Sequence, residues 1–439
     1  MTTVTPSMRI HGWNIHLLSG PDDFHFSGLY QHPGSNLITF RDVVNEMRLC
    51  FDIPCTDDPW ENIAFMLADS PDDMKRKLPS LVADEDLGLP VPGLRSSSPK
   101  SPSVVTYHVI LHKPCEISDD KPLEDHLKNE CAQHIPHPTR RLEPRYISLD
   151  RTSLDPRYAR LPFRRTAKPR RASESPKRRR SDSRSSTDNE HEDIKNLHVP
   201  PKMDITPEKA RQTIETFRHE CLIHTDRCAI SGKGQSWCII PSIGPGLQVC
   251  HIIPQQHFYL YPDDQQLGTE DGDNRLARAW ANTWSNKNGI LLMNDIRQLF
   301  EARLISIHPD THRIRAFVPY DFITDFNGKK ANIPRKVDKL ALRHHYEMAC
   351  IENMAAQMPS GMGFLEIRAP LGRTISLPIN TNLTAKEGDP AKRVRLDQES
   401  ETEKTVVEEE EVMESQEEEI QRSLSVEYDL AEDSGEDTS

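Results

Sequence analysis

Apolar positions in the first 150 residues recur in two rhythms. In TFRDVVNEMRLCFDI, Phe40, Val43, Val44, Met47 and Leu49 fall mostly at helical spacing, which predicts an amphipathic helix. WNIHLL and VVTYHVILH are short runs of β-branched and aromatic residues separated by loops such as LRSSSPKSPS, and they predict strands. The expectation for 1–150 is a small α+β domain in which no motif of recognisable chemistry stands out.

A second patterned region runs from 203 to 380. TPEKARQTIETFRHECLIH opens it as a helix, with Thr206 as cap, Pro207 in the first turn and Glu208 beside it. RLARAWANTW predicts a short helix. Asn288-Gly289 is a strong turn signal. Leu292, Ile296, Leu299 and Phe300 then follow at i, i+4, i+7 and i+8, the spacing of one helix face. LISI and IRAFVPY flank HPDTHR as a β-hairpin, with His308 and His312 at its turn. A final helix carries the stripe Val337, Leu340, His344, Met348, Ile351 and Ala355, with His344 inward and His345 outward.

Composition changes the picture between and after these regions. Of 439 residues, 36% are apolar and 34 are proline, which predicts a substantial unstructured fraction. The net charge of −13 is uneven: the chain from Gln398 onward carries −15 and the rest +2. The acidity therefore belongs to a tail and does not exclude nucleic acid as a partner of the body. Residues 157–184 hold 12 basic and 2 acidic residues among serines and prolines. The expected layout is an α+β protein: N-terminal domain 1–150, disordered basic linker 151–202, patterned domain 203–380, disordered acidic tail 381–439. Packed structure is not expected in 165–200 or 398–439.

Within the linker, PKRRR (Lys177, Arg178, Arg179, Arg180) fits an import signal and a non-specific phosphate contact. PAKRVRLD, with Lys392, Arg393 and Arg395, fits a second, short import signal. Nuclear localisation through an import receptor is the expectation. Nine cysteines, an odd number with no CxxC pair, argue against a disulfide scaffold and a zinc ribbon. Cys228 and Cys238 read as small buried hydrophobes. The start of the sequence lacks the pattern of a secretory signal, and no run approaches the roughly 20 apolar residues that span a bilayer.

The patterned region resembles the HNH endonuclease superfamily, most closely the HNH nuclease domains common in fungal proteins. The resemblance rests on CAISG (228–232), CHIIPQQH (250–257), NKNGILLMNDIRQLFEARLISIHPDTHRIRAFVPYD (286–321) and LRHHYEMACIENMAAQ (342–357). It implies a ββα-containing fold, a nucleic-acid partner, expected to be DNA, and phosphodiester hydrolysis. It also implies His251 as the base that activates water and Asn288 as the residue that orients it. Histidine suits that base role because its unperturbed pKa is about 6.5. The family's helix histidine helps hold a divalent metal, a Lewis acid at the scissile phosphate. Here Arg297 occupies that position, and arginine has no lone pair to offer a metal. Glu301 stands where aspartate is usual. Cys250 stands where a metal-binding aspartate is common, and a thiolate there suits Zn²⁺ better than Mg²⁺. Arg297 and Glu301, four apart, can pair as a weak surface link; alternatively Arg297 contacts phosphate directly. His257 reads as a loop residue. Two functions stay open: an HNH endonuclease-like enzyme whose Mg²⁺ or Zn²⁺ site is weakened, or a non-catalytic nucleic-acid-binding or scaffolding protein on the same fold.

Overall fold

In a computed structural model, residues 4–54, 58–72, 74–75, 77–94, 104–143, 145–146, 197–200, 203–238, 243–262 and 272–355 are described, with the backbone of 366–368 and 374–376. All of them belong to one compact unit, Met1–Thr381. The expected import signals at 177–180 and 392–395, most of the basic linker and the acidic tail lie outside the described residues.

The chain enters through α1 (Pro6–Ile10), β1 (Ile15–Ser19) and β2 (Phe24–Leu29). Helix α2 (Phe40–Cys50) follows, with Phe40, Val43, Val44 and Met47 buried as their spacing predicts. Its start is fixed by a capping box: Thr39 Oγ1 accepts from Asp42 N, and the Asp42 carboxylate accepts from Thr39 N. Then come β3 (Phe51–Asp52), β4 (Ile63–Asp69), β5 (Leu81–Val82) and β6 (Val105–His112). After these, α3 (Leu123–Lys128), β7 (Ala132–His134) and β8 (Thr139–Arg140) complete the N-terminal part. The main sheet runs β2-β1-β6-β4-β5, with β7 also paired to β6. Only β1 and β6 are parallel; the remaining pairs are antiparallel. β3 and β8 form a separate small ladder.

Helix α4 (Pro207–His224) starts where its cap predicts, Thr206 Oγ1 accepting from Lys209 N. β9 (Leu247–His251) leads into a 3₁₀ segment, Gln255–Leu260, and then α5 (Gly272–Thr283). β10 (Gly289–Met293) pairs antiparallel with β9, and α6 (Asn294–Glu301) follows it directly, giving the expected ββα unit. Leu292 therefore lies on a strand, not on the helix face its spacing suggested. β11 (Ile305–Ile307) and β12 (Ile314–Ala316) form the expected hairpin. α7 (Asp321–Thr324) and α8 (Lys339–Met354) follow, and the backbone of β13 (Glu366–Arg368) and β14 (Thr374–Ser376) makes one further hairpin.

Helix α8 joins the two halves. Its Ala341 and Leu342 pack in the core around β9 and β10, while its Met348, Ile351 and Met354 pack with β1, β6 and α2. Both cores bury against it, so His345 is inside and not outward as the single stripe suggested. From the N-terminus, the buried Arg9 donates to Asn353 Oδ1 at 2.7 Å and to the Ala302 carbonyl at 2.8 Å. Trp13 Nε1 donates to the Asn353 carbonyl at 3.1 Å. Arg315 on β12 makes a buried bidentate pair with Glu46 on α2, one arm at 3.0 Å. Residues 197–200, expected to be unpacked, lie against the second core: Leu197 and Val199 are buried, and Trp280 donates to the His198 carbonyl at 2.7 Å.

Candidate functional site

The β9–β10 ribbon sets the register of the site. His251 ends β9 directly opposite Gly289, which begins β10. A side chain at Gly289 would have its Cβ 2.3 Å from Cys221 Sγ and 3.0 Å from the Phe217 ring, so the glycine lets α4 lie close against the ribbon. That approach puts the Phe217 ring face to face with the His251 imidazole, centroids 4.2 Å apart and planes 15° apart. Trp284 meets the same imidazole edge-on at 4.8 Å. The histidine is thus held by two aromatic side chains whose importance no motif announces.

Asn288, fully buried, fixes the chain immediately past His251. Its Oδ1 accepts from Ile253 N at 2.9 Å, and its Nδ2 donates to the carbonyls of Ile253 at 2.9 Å and Thr283 at 3.0 Å. Its own carbonyl accepts from Ile252 N at 2.8 Å. Both amide protons and the amide oxygen are used, which only an asparagine-type group can do here. His251 and Asn288, 37 positions apart, are brought to one place by the strand pairing.

A cleft of about 390 Å³ opens beside them, lined in part by His251, His257, His344, Arg218, Arg297 and Arg303. Burial first, then the charges of Arg297 and Arg218, pull the His251 pKa down to about 3. Burial and Arg303 pull His257 to about 4, and the same two causes pull His344 to about 3. These imidazoles are neutral at physiological pH, and His251 Nε2 is buried without a hydrogen-bond partner. His345 behind them is fully engaged: its Nδ1 lies 2.8 Å from Ser306 Oγ, its Nε2 3.0 Å from the Phe300 carbonyl, and its ring stacks on Phe300 at 3.7 Å. Burial first, then the charge of Arg303, pull its pKa down to about 3, against the opposing effect of the Phe300 carbonyl. His257 lies at a kink within the 3₁₀ segment, where its own backbone is not helical, and it lines the cleft.

Arg297 donates from Nε to Glu301 Oε1 at 2.9 Å, and its Nη1 donates to Gln248 Oε1. The ion pair with Glu301 expected from the sequence is present. Cys250 is buried, with Sγ 3.9 Å from Glu301 Oε1; burial and the Glu301 charge push its thiol far up, so it is protonated at neutral pH. Among the described residues, the one group of three or more His, Cys, Asp or Glu side chains with converging ligand atoms lies elsewhere, at His112, Cys115, His126 and Cys131. No sequence motif marks that group, and Cys238, expected in the interior, is exposed.

Residues 228–308, which run from the segment before β9 through β11, match the family model of the HNH endonucleases. No curated protein and no solved structure matches the chain. The chain thus carries an HNH nuclease domain, which implies nucleic acid as its partner; such domains commonly use a divalent metal. Among the described residues, no helix is long and apolar enough to cross a membrane.

Proposed function

We propose that the HNH domain binds DNA through the arginine-walled cleft and hydrolyses its phosphodiester bonds slowly or not at all. His251 is the candidate base, Asn288 its positioning residue, and Arg297 the group that meets the phosphate. The observation that carries this reading is Arg297 itself, which lines the cleft with the candidate base, acts on it with its charge and is hydrogen-bonded to Glu301.

The residues present do not make a ligand set for a divalent ion. Arginine offers no lone pair, Glu301 is already paired, and the Cys250 thiol is protonated and buried. At an effective dielectric of about 20, a fixed positive charge roughly 4 Å from a cation costs about 4 kcal/mol per unit charge. No step is therefore routed through a metal. Hydrolysis here requires His251 to take a proton from water while an arginine offsets charge on the phosphate. Held by burial at a pKa of about 3, His251 is a weak base in the free protein. Its buried Nε2 favours the second reading, a nucleic-acid-binding protein without cleavage.

The two part in a nicking assay on supercoiled plasmid, with and without Mg²⁺, comparing wild type, Arg297→His and His251→Ala. Binding with little or no nicking, and Mg²⁺-dependent nicking gained by Arg297→His, supports the weakened-enzyme reading. No gain leaves the non-catalytic reading in place. Brisk Mg²⁺-dependent cleavage by the wild type that His251→Ala abolishes overturns both. Nuclear entry through the clusters at 177–180 and 392–395 is part of the proposal; nuclear accumulation of a fluorescent fusion lacking both removes it.

A further inference from the structure

We propose that His112, Cys115, His126 and Cys131 form a tetrahedral structural zinc site that clamps α3 and β7 onto the end of β6. The four residues come from four adjacent pieces of backbone. His112 is the last residue of β6, Cys115 sits in the turn after it, His126 is on α3, and Cys131 immediately precedes β7. The pairing of His112 with Ala132 brings the ends of this excursion together, and Lys113 N donates to the Cys131 carbonyl at 2.8 Å.

The geometry is that of a metal knuckle. Cys115 Sγ lies 3.5 Å from His112 Nε2 and 3.7 Å from His126 Nδ1, and Cys131 Sγ lies 3.5 Å from the same His126 Nδ1. All four ligand atoms fall within 4.8 Å of one another. A tetrahedral zinc with Zn–S of about 2.3 Å and Zn–N of about 2.0 Å has ligand–ligand edges of roughly 3.3–3.8 Å. The three contacts lie within that range. As a metal-free cluster the arrangement is poor: two weak thiol donors crowd one imidazole nitrogen of His126, a residue with no exposed surface. Two thiolates and two imidazoles select zinc over magnesium or calcium. Four protein ligands, three of them buried and one half-buried, leave no open coordination position, so the site is structural rather than catalytic.

The surrounding fold needs such a clamp. α3 has only six residues and no side-chain cap at Pro122. A helix that short is not stable by its own hydrogen bonds. It is held on the sheet by Leu123 and Leu127, which pack on a small cluster of Ala64, Met66, Leu81, Ile110 and Ala132. A metal bond to His126, between those two leucines, fixes the helix where that small contact area alone would not.

The test measures zinc in the full-length chain, purified through a tag that binds no metal. About one zinc per chain is expected in the wild type, and near none in Cys115→Ser/Cys131→Ser. His251→Ala and Cys250→Ser should keep the zinc, which separates this site from the nuclease cleft. Should the double variant fail to fold, cobalt(II) added to the zinc-stripped wild type supplies the second readout: visible absorption of a tetrahedral thiolate site. Wild-type protein with less than roughly 0.2 zinc per chain and no such cobalt spectrum overturns the proposal. So does zinc that persists in the double variant or that Cys250→Ser removes.

Discussion

Removing the charge of Glu46 tests whether the N-terminal sheet and the nuclease domain stand or fall together. Glu46 on α2 and Arg315 on β12 are both buried and are 269 positions apart. The guanidinium also donates to Tyr346 OH at 2.8 Å and lies over the Phe317 ring at 4.4 Å. In Glu46→Gln the cation stays buried with no counter-charge. Breaking one side of a buried pair costs about 3–5 kcal/mol, whereas replacing both partners with apolar side chains is often close to neutral. Glu46→Gln should therefore lower the melting temperature of the full chain by roughly 10 °C. Glu46→Leu/Arg315→Met should recover at least half of that, less about 1 kcal/mol for the hydrogen bond Tyr346 loses. The assay is urea and thermal unfolding, with Trp13 in the N-terminal part and Trp280 and Trp284 in the nuclease domain as reporters. A loss under about 1 kcal/mol in Glu46→Gln, or a double variant no better than the single, would refute the buried-pair argument.

Two further perturbations concern histidines and an asparagine held inside the fold. His16, His251, His257, His344 and His345 are all pulled down to about 3 or 4, chiefly by burial, so the unfolded chain binds protons that the folded one does not. Stability is then complete above the unfolded pKa of about 6.5 and falls as pH drops below it, by up to about 1.4 kcal/mol per histidine per pH unit until the folded pKa is reached. Five such groups exhaust a typical 5–15 kcal/mol within about two pH units; near-UV circular dichroism should show unfolding between about pH 4 and 5.5, and native signal retained at pH 4 contradicts the assignment. Asn288→Ala should cost about 2–4 kcal/mol by stranding the Ile253 amide and two carbonyls, and Asn288→Asp should cost more because a buried carboxylate would face those carbonyls; equal melting temperatures for the two variants would show that the amide is not used as described.

The sequence made local elements legible and long-range ones not. α2 and α4 were readable because each has one buried face and a capping threonine, signals contained in a dozen residues. β10 was misread in part: Gly289 to Leu292 are buried without alternation, and such a run carries no strand period, so Leu292 joined the helical series of Ile296 and Phe300 by coincidence. The second buried side of α8 was not readable, because a helix packed between two cores has no single apolar stripe. In the site, His251, Asn288 and Arg297 came from ordered motif segments. Phe217 and Trp284 did not, since an aromatic residue that stacks on a histidine looks like any core residue until the helices are placed. The group at His112 is not legible because its histidines and cysteines alternate across strand, loop and helix, with no CxxC to mark it.

The choice between an arginine and a metal at the cleft has opposite signs in a binding experiment. If Arg297 meets the phosphate, DNA binding needs no Mg²⁺ and weakens steeply with salt, because each phosphate contact releases counterions. The slope of log K against log salt changes by about 0.9 per contact in duplex DNA. Arg297→Ala should then weaken binding for every sequence alike and flatten that slope by about 0.9. A divalent ion holding the phosphate predicts the reverse. Chelation would abolish binding, and Arg297→Ala, which removes a charge that repels the ion, would strengthen it in Mg²⁺. Loss of the cation also relieves part of the charge that holds His251 down, so its pKa should rise from about 3 in the same variant, though burial, the larger cause, keeps it below the ordinary value. Fluorescence anisotropy on a labelled duplex across a salt series, with Mg²⁺ or chelator, reads the first pair of outcomes, and the titration of the His251 ring protons reads the last. Tighter Mg²⁺-dependent binding by Arg297→Ala would show that the arginine opposes the site's cation instead of replacing it.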